Sequence, residues 1–142
     1  ELSSASADEA KNAIVGIGLA LDLTRRELQS SLKEKRHPWE IAKAFDGACP
    51  ISHFVLPEVL PDLDSIAFSL KVNDELKQAS TTQDMLTPVL PLISYMSRFF
   101  TLRPGDVVLT DTPKGVGILK PGDKLSLQLA DKLQVETQAY SA

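Results

Sequence analysis

Along this chain the apolar positions change spacing several times, and each change marks an element. Residues 14–23, IVGIGLALDL, carry no charge before Asp22, a pattern that predicts a buried strand. Gly16 and Gly18 weaken a helix there and predict close approach by another backbone. Residues 65–72, SIAFSLKV, alternate with period two and predict a second strand. Asn73-Asp74 after them is a hairpin signal, with a returning strand at 75–78. VVLT at 107–110 predicts a short buried strand after the turn Arg103-Pro104-Gly105-Asp106. Residues 124–130 and 133–139 alternate too, joined by Asp131-Lys132 as a hairpin. A short strand near Phe54 is expected inside the proline-rich crossing 49–61.

Helical spacing alternates with these runs. Ser6 and Glu9 stand at capping-box distance and predict a helix over 7–12. Thr24 and Glu27 repeat that distance and predict a helix over 25–35. Leu28 and Leu32 then share one face, with Arg26, Gln29 and Lys33 on another. Pro38 is suited to start a helical turn in HPWEIAKAF. Val89, Leu92, Ile93, Met96 and Phe100 form a helical stripe over 89–100, read as core and not as a ligand face. Residues 81–88 read as loop. Three helices among about seven short, mostly antiparallel strands make the fold class α+β.

Composition narrows the functions on offer. The 142 residues suit one domain, and 43% apolar with 24% charged residues is a globular balance. A net charge of -4 argues against a nucleic-acid partner, which calls for a basic face. With no run of 18 apolar residues and no basic stretch leading into an apolar core, neither a membrane partner nor a signal peptide is expected. The single cysteine, Cys49, has no partner for a disulfide, which points to a reducing compartment, the cytoplasm. It reads as a small core residue, and His37 and His53 as structural or exposed. One Cys and two scattered His do not have zinc-ligand spacing.

Candidate chemistry starts at Asp22. An acid closing an apolar run, just ahead of a helix, stands where a metal or the helix dipole's positive end uses a carboxylate. The competing reading is an acid that only helps to start the helix. Arg26 and Gln29 are substrate contacts or a solvated helix face. Lys43 is unusual inside an apolar segment, and is either functional or a snorkelling side chain. Thr112 lies in TDTPKGVG, residues 110–117, a loop too rich in Gly, Pro and hydroxyls to be regular. That loop lacks Walker spacing, and GIG at 16–18 lacks the third glycine of a dinucleotide fingerprint, so nucleotide binding does not follow.

Four segments in order, ALDLTRRELQ, HPWEIAKAFDGACPIS, SLKVNDELKQASTTQDM and LISYMSRFFTLRPGDVVLTDTPKGVG, carry a resemblance. Over about residues 14–122 the chain resembles the fumarylacetoacetate hydrolase family, in its acylpyruvase and fumarylpyruvate hydrolase branch. The resemblance implies a mixed β-roll or sandwich of mostly antiparallel strands with a few short helices, often assembled as a homodimer. It implies that Asp22 is one carboxylate of a Mg²⁺ or Mn²⁺ site, that Arg26 and Gln29 contact a small keto-acid substrate, that Lys43 is the active-site lysine near the metal, and that Thr112 binds a substrate carboxylate. The implied reaction is cleavage of a C–C bond in a 2,4-diketo acid through an enolate held by the ion. Oxaloacetate decarboxylation and keto–enol isomerisation also pass through a metal enolate and are the alternatives.

Two departures from the family pattern stand out. Thr110-Asp111-Thr112-Pro113 has Asp111 where the family has glycine. Family members also carry a Glu-x-Glu metal pair and a catalytic His and Glu upstream of the matched segments, and none follows Glu1 here. The chain is therefore expected to be one catalytic domain, residues 1–142, lacking its N-terminal part. A catalytically incomplete binding or dimer-partner subunit, and a plain structural domain, are the other readings.

Overall fold

The computed structural model describes residues 1–110 and 112–140. The chain starts with α1 (Ala7–Ala13), whose capping box forms as expected. The Ser6 amide donates to Glu9 Oε2 at 2.8 Å, and the Glu9 amide donates to Ser6 Oγ at 3.2 Å. That backbone bond first, and the Ser6 hydroxyl second, hold the Glu9 carboxyl below its ordinary value of 4.5. A carboxyl whose pKa is lowered in the folded state favours folding above its unfolded value and loses that contribution as pH falls through the folded value. Protection of the Ser6 and Glu9 amides, taken relative to intrinsic exchange at each pH, should therefore fall as pH drops below 4.5. Glu9→Gln should abolish that pH dependence; an unchanged profile in the variant would rule Glu9 out as its source.

Residues 14–23 do not form a ladder strand. They run beside 50–55 through two isolated bridges, Ile17↔Val55 and Ala20↔Ile51. The reason is visible at Leu19, whose amide donates to the Ser52 hydroxyl at 2.9 Å instead of to a backbone carbonyl. Close approach at the glycines is as expected: a Cβ on Gly18 would lie 2.9 Å from Ser52 Oγ and 3.0 Å from the His53 carbonyl. Burial is only partial, and Val15 is 80% exposed.

Next come α2 (Arg26–Glu34) and 3-10 turns at Glu40–Ala42, Pro57–Val59 and Leu63–Ser65. β1 (Ala67–Val72) and β2 (Glu75–Thr81) form the expected hairpin, with Asn73 and Asp74 at φ 51° and 66°, the paired positive values of a tight hairpin turn. β2 runs three residues past the expected end. Residues 81–88 are not plain loop: a 3-10 turn at Thr82–Asp84 carries its own capping box from Thr81 and Asp84. α3 (Val89–Met96) is shorter than expected, and its stripe partly faces out, with Phe100 exposed. β3 (Lys124–Leu129) and β4 (Leu133–Gln138) close the fold.

Among the described residues these strands make one antiparallel sheet in the order β2-β1-β3-β4, so four ladder strands stand where about seven were expected. Ile66, Leu129 and Leu133 are its buried centre, packed against Ile17, Leu19, Val55 and Leu63. α1 and α3 pack separately, around buried Ala10 and Ile93, with Ser97 bridging them: its Oγ accepts from the Ala5 amide at 2.8 Å and donates to the Ser94 carbonyl at 2.7 Å. The α+β class holds.

The segment 107–110 is the clearest departure. It joins no ladder among the described residues, and Val107 and Leu109 are 44% and 45% exposed. Cys49 is also at the surface, not in the core; Ala48 takes the buried position beside it. Both His37 and His53 are exposed. The total accessible surface is 9930 Å². A compactly folded monomer of this mass presents about 7,200 Å², so this chain exposes more surface than its mass requires, with large apolar side chains such as Leu86 and Ile118 among it.

Candidate active site

The crossing from residue 20 to residue 25 meets the segment 42–50 through a run of backbone bonds. Leu21 N donates to Pro50 O at 3.0 Å, Leu23 N to Ala48 O at 2.9 Å and Arg25 N to Ala42 O at 2.9 Å. The Arg25 guanidinium also lies 4.4 Å over the Phe45 ring. This zipper sets Asp22 and Thr24 opposite Lys43. The Lys43 ammonium donates to Asp22 Oδ2 as an ion pair and to Thr24 Oγ1 at 3.1 Å. Asp22 and Lys43 are thus together, as expected, but the carboxylate is not buried. Its side chain is 41% exposed and that of Lys43 29%.

Thr24 escaped the sequence reading in its actual role. At capping-box spacing it was the predicted cap of α2, yet the N-cap is Arg25 and no side chain caps the helix. The hydroxyl turns to Lys43 instead. The signal available in sequence was only its place two residues after Asp22.

Arg26 opens α2 and is exposed; Gln29 lies one turn on and is half-buried. Their i,i+3 spacing puts both on one face of a helix that starts four residues after Asp22. Thr112 sits on the 110–117 loop, which is anchored on β2. Gln78 Nε2 donates to the Pro113 carbonyl at 3.2 Å. β2 carries a bulge there: Leu70 pairs with Gln78 and Lys71 with Leu76, so Lys77 is the extra residue. Gly115, at φ 99°, comes against the Lys77 carbonyl, where a Cβ would stand 1.9 Å from the oxygen. The expected effect of Asp111 falls outside the described residues.

A divalent ion needs several oxygen ligands. Among the described residues no three His, Cys, Asp or Glu side chains gather. Asp22 brings one carboxylate, already neutralised by an ammonium. This donor set does not by itself fit such an ion. What the described residues do show is an ammonium at a half-open surface, held by a carboxylate and a hydroxyl, with α2, which carries Arg26 and Gln29, starting two residues after Thr24.

The chain belongs to the fumarylacetoacetate hydrolase family: the family model for the fumarylacetoacetate (FAA) hydrolase C-terminal part matches residues 1–139. It is 50% identical over 127 residues to the oxaloacetate tautomerase YcgM of Escherichia coli, covering 89% of this chain and 58% of that protein. Its structure is similar to that of a putative fumarylacetoacetate hydrolase family protein from Yersinia pestis, with TM-score 0.91 and 53% identity over 96% of this chain and 63% of the other. It is also similar to a fumarylpyruvate hydrolase from Pseudomonas aeruginosa solved with Mn²⁺ and pyruvate, at TM-score 0.91 and 33% identity over 99% of this chain and 60% of that one. The chain thus spans about three-fifths of the length of these relatives.

Proposed function

We propose that this chain belongs to an enzyme that interconverts the keto and enol forms of oxaloacetate. The observation that carries the reading is the Lys43 ammonium held by Asp22 and Thr24, in a chain half identical to an oxaloacetate tautomerase. In this isomerisation a proton leaves C3 and its electron pair forms the C2–C3 double bond. The C2 carbonyl oxygen takes the negative charge and then a proton. No other bond breaks. Lys43 places a fixed positive charge where that oxygen becomes negative. Arg26, Gln29 and Thr112 are assigned to the two carboxylates of the dianion, the first two from α2 and the third from its loop.

Asp22 is assigned to a divalent ion, Mg²⁺ or Mn²⁺, as one carboxylate of a site that the described residues do not complete. Such an ion, when bound, would supply a Lewis acid for keto-acid oxygens. The working assembly is taken to be a homodimer; sedimentation at the monomer mass would refute that part. No helix among the described residues is long and apolar enough to cross a membrane, and an exposed lone thiol fits a reducing compartment such as the cytoplasm.

The second reading, acylpyruvate cleavage, is favoured by the likeness to the fumarylpyruvate hydrolase. It ends on a related enolate, that of pyruvate, with the negative charge again on the C2 oxygen, and would use Lys43 in the same way. The two separate in one assay with Mg²⁺ present. Faster decay of the oxaloacetate enol absorbance without pyruvate release from an acylpyruvate is the expected result. Pyruvate release with no effect on the oxaloacetate enol would replace the tautomerase reading by the hydrolase one.

A further inference from the structure

We infer that Thr24 is a positioning residue that aims the Lys43 ammonium, an inference that rests on the role proposed above for Lys43. An ammonium carries three N–H bonds and no acceptor, and it rotates freely about its carbon–nitrogen bond unless several acceptors hold it. Asp22 Oδ2 takes one of the three and Thr24 Oγ1 a second. Two fixed acceptors stop the rotation, and the third N–H then has one direction, free among the described residues for a substrate oxygen.

Thr24 is suited to this by its own bonding. A hydroxyl has one proton and two lone pairs. An ammonium has no acceptor, so toward Lys43 the hydroxyl offers only a lone pair. Its proton is left the long 3.4 Å contact to the Asp22 carbonyl. Its backbone is held on both sides, by Leu23 N on Ala48 O and by Arg25 N on Ala42 O. Those two partners flank Lys43, so the distance between the hydroxyl and the ammonium is built into the zipper. The cost of the arrangement is visible too: α2 goes without the side-chain cap that Thr24 was spaced to supply. A local rule broken at one residue, with its hydroxyl turned to the candidate catalytic cation, is the pattern of a functional position.

The test compares Thr24→Val, which keeps the shape and removes the hydroxyl, with Thr24→Ser, which keeps the hydroxyl. On oxaloacetate, kcat of the valine variant should fall about tenfold, the scale of one lost hydrogen bond to a charged group. KM should stay within about twofold, and the serine variant should recover kcat to within about threefold. Equal loss in both variants, or none in the valine variant, overturns the inference. A second readout needs no substrate. The ¹H–¹⁵N correlation of the Lys43 ammonium should be protected from exchange in the parent protein and in Thr24→Ser, and lost in Thr24→Val. Its persistence in Thr24→Val overturns the inference as well. Absence of all turnover in the parent, with the ammonium signal behaving as expected, would sink the proposed reaction and leave the positioning role standing.

Discussion

Lys43→Met should lower oxaloacetate tautomerisation by about 100- to 1000-fold in kcat, the range found when one preorganised donor to a developing oxyanion is removed. Methionine fills a similar volume, so packing near Ala42 is kept while the charge is lost. The loss should fall on kcat and leave KM little changed, because the enolate oxygen is charged only on the way to the transition state. Asp22 loses its counter-charge in this variant, but at 41% exposure water can solvate it, so the thermal midpoint should move little. Initial rates over a range of substrate concentrations, with a melting curve beside them, make the check. A variant with unaltered kcat would remove Lys43 from the chemistry. A variant that simply unfolds would recast the Lys43–Asp22 pair as structural.

The second large effect is expected at Gly115→Ala. The φ of 99° lies in the region that favours glycine, and the added Cβ would meet the Lys77 carbonyl at 1.9 Å and its carbon at 3.0 Å. Backbone cannot yield as the end of a long side chain does. A strained residue that persists costs about 1–3 kcal/mol, and here the clash adds to it, so the loop should leave the β2 bulge instead of bearing the strain. Thr112, three residues earlier, would lose its placement. Trypsin cleavage after Lys114 should accelerate, and keto-acid turnover should fall with KM rising. Gly117→Ala is the internal control: nothing lies within 4 Å of where its methyl group would stand and its φ is ordinary, so both readouts should match the parent. Equal behaviour of the two alanine variants would show that the loop is not seated on Lys77.

Parts of the site were legible in the residues themselves and parts were not. Asp22, Lys43 and the 110–117 loop stood out because a charge inside an apolar stretch, or a cluster of Gly, Pro and hydroxyls, breaks a local pattern. Asp22 and Lys43 do meet. The family resemblance linked them; no periodicity joins positions 21 residues apart. The reading of Asp22 as buried failed: backbone bonds from Leu21 and Leu23 hold the end of the run to 48–50, but the Asp22 side chain between them stays 41% exposed. Gln78 and the bulge at Lys77 went unseen. A bulge is set by how two strands register against a third element, and SLKVNDELKQ reads as a regular hairpin by alternation alone.

What the sequence by itself determined are the features closed within a few residues. The Ser6–Glu9 box closes over three residues, so spacing suffices to specify it. Alternation located both hairpins, although Asn73 of the first turn also bonds Asp123 and Lys124 across the sheet. The tertiary structure decided which of two available partners a polar group takes. Thr24 could cap α2 for about 1 kcal/mol or accept a charge-assisted bond worth about 1.5–3 kcal/mol. The second exists only because the Ala42–Pro50 segment is laid alongside residues 21–25. In the same way Leu19 gave its amide to a serine side chain, and so a predicted strand became two bridges. Local bonds are chosen by local sequence until a distant segment offers a stronger one, and at this site it does.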